Sequence, residues 1–175
     1  MKYYFFGFLL VFLDFNITLA YGGVLNVLPD FLGYALLTFA AVRVGHENSH
    51  FQRLRAVTAV AFVLSIGEFV LNLLALSLPK VAELVISIAM TVVALYIAYE
   101  FSEGAKSLER SLSRKLDADK ISAAWIILSM TSLLEFLVIY FPAVALPCYL
   151  VHWLAVAWFE SATFHFERKL TGKEK

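Results

Sequence analysis

The chain has 175 residues, of which 61% are apolar and 16% charged, and its mean hydropathy is +0.79. Soluble domains run near 45–50% apolar and about 25% charged, so this composition excludes a disordered chain and argues against an ordinary soluble globule. Fourteen basic residues balance fourteen acidic ones, leaving no net charge to attract nucleic acid, and the single cysteine, Cys148, allows neither an internal disulfide nor a cysteine-built zinc site.

A bilayer core about 30 Å thick takes roughly 20 mostly apolar residues per helix. Six stretches approach this length, at residues 3–20, 29–44, 56–78, 81–101, 121–141 and 143–164. The second is the shortest, and its helix can extend through Arg43 toward His46. The runs lack the alternation of barrel strands, and helices satisfy every backbone group internally. The expectation is therefore an all-α integral membrane protein: one domain over residues 1–175 with six transmembrane helices. Thirteen of the fourteen basic residues fall at the termini or in the loops after the second and fourth segments; Lys80 alone falls on the other side. That bias places both termini in the cytoplasm and requires an even number of spans. Lys2 and the apolar run that follows, with Thr18 and Ala20, also have the make-up of a signal peptide. Asp14 and Asn16 interrupt that run early, which favours a retained helix.

Three hairpins share a skeleton. Asp14-Phe15, Glu68-Phe69 and Glu135-Phe136 lie inside the odd-numbered segments; Leu28-Pro29, Leu78-Pro79 and Leu146-Pro147 follow 10 to 15 residues later. Proline in the first turn loses no needed hydrogen bond, so each Leu-Pro reads as the start of an even-numbered helix. The pattern predicts a threefold repeat of hairpins around a common centre. Coincidence is the alternative, since two-residue matches are cheap.

Counted from Pro79 and Pro147, Glu68 and Glu135 fall near the bilayer midplane, with Asp14 in the equivalent half of the first helix. Charged groups at that depth face the protein interior or a wet cavity. Desolvation and mutual repulsion would keep at least one of the three protonated near neutral pH, able to give or take a proton. Asn16 shares a segment with Asp14, and Asn72 lies one helical turn after Glu68. His152 is the one basic candidate at this depth. Asp14, Glu68, Glu135, Asn16 and Asn72 are thus the candidate substrate- or ion-binding residues. A purely structural role, hydrogen bonding across helices at about 0.6 kcal/mol each, is the competing reading. Asp30 and Glu83 suit first-turn positions beside the helix dipole, with an external cation-attracting mouth as the alternative. Glu100 and Glu160 are expected at the inner interface or paired with nearby basic residues.

His46-Glu47-Asn48-Ser49-His50 matches the H-E-x-x-H zinc pattern. Gly45, Asn48 and Ser49 disfavour one continuous helix there, and Ser49 with Gln52 forms a capping box that would start helix three. A polar turn is expected instead, with no metal, no cofactor and no enzymatic activity; an intramembrane metalloprotease at His46 and His50 is the weakest alternative. Leu108, Leu112 and Leu116 make a narrow apolar stripe among basic residues over 103–120, which suggests an amphipathic extension of helix four along the inner membrane face, with a plain solvated helix packed on the bundle as the alternative. Trp125, Trp158 and Tyr3-Tyr4 suit an interfacial aromatic belt, and Gly33 suits close helix packing. No phosphate loop, dinucleotide fingerprint or nucleophile elbow is present.

Phe12-Leu13-Asp14-Phe15-Asn16-Ile17, followed by Val27-Leu28-Pro29-Asp30-Phe31-Leu32-Gly33-Tyr34, resembles an uncharacterised group of small bacterial polytopic membrane proteins with an L-P-D-F-[IL]-G-Y core in the first hairpin. Phe51-Gln52-Arg53-Leu54-Arg55 resembles their first cytoplasmic loop. The likeness covers roughly the first 55 residues and implies a location in the bacterial cytoplasmic (inner) membrane, but no activity. In size and span count the chain is also similar to the vitamin-binding S-components of ECF transporters, without a shared motif. Two functional expectations follow. The first is binding or movement of a small solute or cation, coupled to protons or cations through intramembrane carboxylates. The second is a non-transporting scaffold or regulatory subunit that uses the basic 106–120 stretch as its contact surface. Either role fits a lipid-embedded chain working as a homo-oligomer or with a partner membrane subunit.

Overall fold

Long apolar runs free of interior proline fold as helices. The computed structural model describes residues 2–13, 16–18, 24–26, 29–44, 48–76 and 78–172. It contains α1 (Tyr3–Phe12), β1 (Asn16–Thr18), β2 (Val24–Asn26), α2 (Asp30–Val44), α3 (Ser49–Leu73), α4 (Lys80–Ser111), α5 (Ala118–Glu135) and α6 (Ala145–Leu170). Short 3-10 turns at Phe136–Ile139 and Pro142–Val144 join α5 to α6. Each helix touches the next and α6 returns to α1, closing a ring.

Four segments are long and apolar enough to cross a membrane: Ser49–Leu73, Lys80–Ser111, Ala118–Val138 and Pro142–Leu170. In the most apolar stretch of each, only 17–28% of the residues are buried. Val60 and Val63 of α3, Val85 and Val92 of α4, Met130 and Leu133 of α5, and Leu150 and Leu154 of α6 all face outward. Soluble monomers rarely expose apolar surface so continuously; a bilayer accommodates it.

The first predicted span departs from expectation. α1 has 10 residues, about 15 Å of helix, and α2 has 15, about 22 Å. Leu13 leaves α1 with extended backbone, and β1 pairs antiparallel with β2, Asn16 opposite Asn26. Side chains such as Asn compete with helical hydrogen bonds, and Ile17 and Thr18 are β-branched. The α1–α2 hairpin therefore closes through a short strand pair rather than through two full-length helices.

Side-chain contacts show which ends lie together. The Glu167 carboxylate accepts hydrogen bonds from the amides of Tyr4 (3.2 Å) and Phe5 (3.4 Å). These are first-turn donors with no partner inside α1. Lys169 donates to Asp117 at 2.8 Å, and Asn48 donates to the Gly104 carbonyl at 3.1 Å. The start of α1, the end of α6 and the α2–α3 and α4–α5 connections thus share one end of the bundle. Near it, Phe8, Phe51, Phe101, Phe159 and Phe166 form a fully buried cluster, joined by edge-on and tilted ring contacts such as Phe8–Phe159 at 5.1 Å.

α1 and α2 meet at glycines. A Cβ on Gly33 would lie 2.7 Å from the Gly7 carbonyl oxygen, and one on Gly7 would lie 2.7 Å from Leu37. The close packing expected of Gly33 is present, with Gly7 as its counterpart. The start of helix three differs by one residue from the expected box: Asn48 is the cap, and its Oδ1 accepts from the Phe51 amide at 3.1 Å. The stripe over 103–120 extends helix four in part, as expected. α4 runs on to Ser111, about 48 Å in all, with Leu108 and Leu116 buried and Leu112 exposed.

Candidate functional site

The proline positions set the even-numbered helices. Pro29 directly precedes α2, Pro79 caps α4, and Pro147 sits in the first turn of α6. Each of these helices therefore begins at the end of the bundle remote from the chain termini. The residues just inside those starts face the last turns of α3 and α5.

There the helices line a polar, partly open cavity of about 270 Å³. Asp30 and Tyr34 of α2, Glu68 of α3 and Glu135 of α5 line it, with His152 of α6. Ser87 and Thr91 of α4 and Ser132 of α5 add hydroxyls, while Val11 and Phe12 of α1 form an apolar wall. Three carboxylates from three helices thus share one partly open space with an imidazole. The His152 Nδ1 lies 3.8 Å from Glu135 Oε1 and 3.4 Å from Thr131 Oγ1. An approach of roughly 1 Å by Glu135 would complete a hydrogen bond. The Ser132 hydroxyl donates to the Leu128 carbonyl, so it can offer the cavity its lone pairs.

Of the residues singled out from sequence, Glu68 and Glu135 are brought together. Asp30 sits in the first turn of α2, as expected, and also lines the cavity. Asp14 and the side chain of Asn16 lie outside the described residues. Asn72 does not join the site: it is exposed near the end of α3. Glu83 is exposed in the first turn of α4 and stands apart from the cavity. The depth estimate also changes. α3 ends at Leu73, five residues after Glu68, and Glu135 is the last residue of α5. Leu74 and Ala75 form a turn and α4 starts only at Lys80, so the acids lie nearer the remote end than a continuous helix would put them.

Among the described residues, no three His, Cys, Asp or Glu side chains converge to hold a metal. His46 and Glu47 lie outside the described residues. His50, the last member of that pattern, is engaged elsewhere: its Nδ1 lies 2.8 Å from Glu100 Oε2. Glu100 is 1% exposed. It also accepts from the Tyr96 hydroxyl at 2.7 Å and from Arg53 at 3.4 Å. Glu100 is thus paired with basic neighbours, as expected. Glu160 is not: it is 4% exposed, and among the described residues neither carboxylate oxygen has a hydrogen-bond partner.

Sequence reasoning missed Tyr34, Ser87, Thr91 and Ser132. Ser87 and Thr91, one turn apart on an otherwise apolar helix, carried a readable signal; Tyr34 and Ser132 carried none. The chain matches no known protein family, no curated protein and no solved structure.

Proposed function

We propose that this is a multi-pass protein of a bacterial cytoplasmic membrane that binds a small cation or protonatable solute in the central cavity, coupled to proton exchange on its carboxyl groups. One observation supports this reading: Asp30, Glu68 and Glu135, from three different helices, line a single cavity with His152. Acidic side chains are expensive at membrane depth and mark ion pathways or relays when they face a shared interior space. Carboxylate and hydroxyl oxygens together offer the hard ligands that small cations and ammonium groups prefer. Glu135 and His152 stand close enough to pass a proton after a small movement. Asp14 follows Phe12, a cavity wall residue, by two positions in the chain, so it belongs to the same reading. The positive-inside bias puts both termini in the cytoplasm and opens the cavity end toward the outside. With so small a bundle, the working unit is a homo-oligomer or a complex with a partner membrane subunit.

The test is carbodiimide labelling of the folded protein, mapped by mass spectrometry over a pH series, together with proteoliposome flux. Labelling of Glu68 and Glu135 that fades as pH rises, and that a particular cation competes away, supports the reading and names the ion. Glu68→Gln and Glu135→Gln should fold normally and abolish flux. If the acids never label and both variants behave as wild type, the scaffold role replaces this one. Charge reversal at the exposed Arg110 and Arg114 would then be the substitution that abolishes partner capture.

A further inference from the structure

A second space lies apart from the central cavity. Between α1 and α6 a groove of about 580 Å³ opens sideways, within the roughly 300–1,000 Å³ typical of sites for drug-sized ligands. Phe5 and Leu9 of α1 face Trp153, Ala157 and Phe164 of α6 across it. Glu160 is the one ionisable residue among its lining residues.

Glu160 has an unusual standing among the buried acids of α4 and α6. Glu100 has three side-chain partners, and Glu167 caps two amides of α1. Glu160 is as deeply buried, yet among the described residues neither of its oxygens has a hydrogen-bond partner. The Thr163 hydroxyl, one turn away, likewise has no partner among the described residues. An ionised carboxylate without a partner costs several kcal/mol in apolar surroundings. Nothing on the groove walls supplies the missing charge. One edge of the groove does already hold a cation: the Lys2 ammonium lies 4.8 Å from the centre of the Phe164 ring, a cation–π contact.

From the apolar aromatic walls, the sideways opening and the single unpaired acid, we infer that this groove binds a lipophilic organic cation drawn from the bilayer, with Glu160 as its counter-ion. The apolar body of the ligand replaces lipid between Phe5, Trp153 and Phe164. Its positive charge meets the carboxylate after a change of Glu160 rotamer, because both oxygens are buried in the present one. This site is independent of the central cavity and does not rest on the function proposed for it.

The experiment uses the full chain in lipid nanodiscs with tetraphenylphosphonium as the probe, read by equilibrium dialysis and by quenching of tryptophan fluorescence. The expected result is saturable binding of one probe per chain, weakened at least about tenfold by Glu160→Gln, which corresponds to about 1.4 kcal/mol. Glu135→Gln, in the other cavity, should leave this binding unchanged. Ala157→Trp fills the groove from an exposed position while keeping the acid, and should also abolish binding. It decides the matter if Glu160→Gln fails to fold. Wild-type affinity in Glu160→Gln or in Ala157→Trp overturns the assignment. So does non-saturable partitioning into wild-type nanodiscs, or loss of binding in Glu135→Gln alone.

Discussion

Substituting Gly33 with alanine tests the α1–α2 contact against a built-in control. The added Cβ would lie 2.7 Å from the Gly7 carbonyl oxygen, 2.7 Å from Val11 Cγ2 and 3.1 Å from Leu10 Cβ. The Val11 methyl can turn aside, but the carbonyl belongs to the backbone of α1, so the two helices must part. Overpacking of this kind costs about 1–3 kcal/mol. Alanine also favours a helix over glycine by about 1 kcal/mol, which masks part of that cost. Gly67 supplies the correction: it lies inside α3, and a Cβ there meets nothing within 4 Å. The propensity gain is common to both sites and cancels in the difference. Gly33→Ala should therefore be less stable than Gly67→Ala by about 1–3 kcal/mol, with Gly67→Ala at or above wild type. Unfolding by titrated anionic detergent in mixed micelles, followed by tryptophan fluorescence, measures the difference. Because Val11 and Phe12 form one wall of the central cavity, Gly33→Ala should also alter carbodiimide labelling of Glu68 and Glu135. Equal stability of the two variants, within about 0.5 kcal/mol, would refute the close-approach reasoning.

Glu167→Ala removes the acceptor for the Tyr4 and Phe5 amides; it should cost about 1–3 kcal/mol and strip hydrogen-exchange protection from those two amides, whereas Glu167→Gln keeps an acceptor and should lose less. Asp117 has left-handed backbone (φ 62°), which asparagine tolerates, so Asp117→Asn isolates its charge. Hydrogen bonds from Lys169 and then Lys120 hold its carboxyl down at about 2, from an ordinary 3.8. A depressed value of this kind stabilises the fold above the unfolded pKa and is lost as pH falls through the folded one. The stability gap between wild type and Asp117→Asn should thus be full above about pH 4 and vanish toward pH 2. Solvent screening keeps it under about 1 kcal/mol, and a gap that persists unchanged in acid would refute the assignment. The flux loss in Glu68→Gln and Glu135→Gln, and the probe binding lost in Glu160→Gln, complete the set.

Membrane class and helical content were legible from the sequence because they depend on sums along the chain. Length and apolarity of the runs report the solvent they need, and positions such as Pro29, Pro79 and Pro147 mark helix starts through local backbone chemistry. Gly33 was legible too, since a missing side chain invites close approach. Glu68 and Glu135 stood out because an acid in an apolar run demands an interior partner. What they share the cavity with was not legible. That Asp30 and Tyr34 face them, that Asn72 points away, and that His152 reaches Glu135 depend on how six helices are rotated against one another in the ring. The early end of α1 at Phe12 was missed because local competition for backbone hydrogen bonds outweighed an apolar run long enough to span. The fates of Glu100, Glu160 and Glu167 show the same division. Their sequence settings are alike, each an acid near the end of an apolar helix. One gained a histidine, a tyrosine and an arginine, one gained the amides of a helix 162 residues and more away in sequence, and one gained nothing. Partnership between distant residues is decided by packing, because the free energy of a buried charge depends on which atoms surround it and not on its neighbours along the chain.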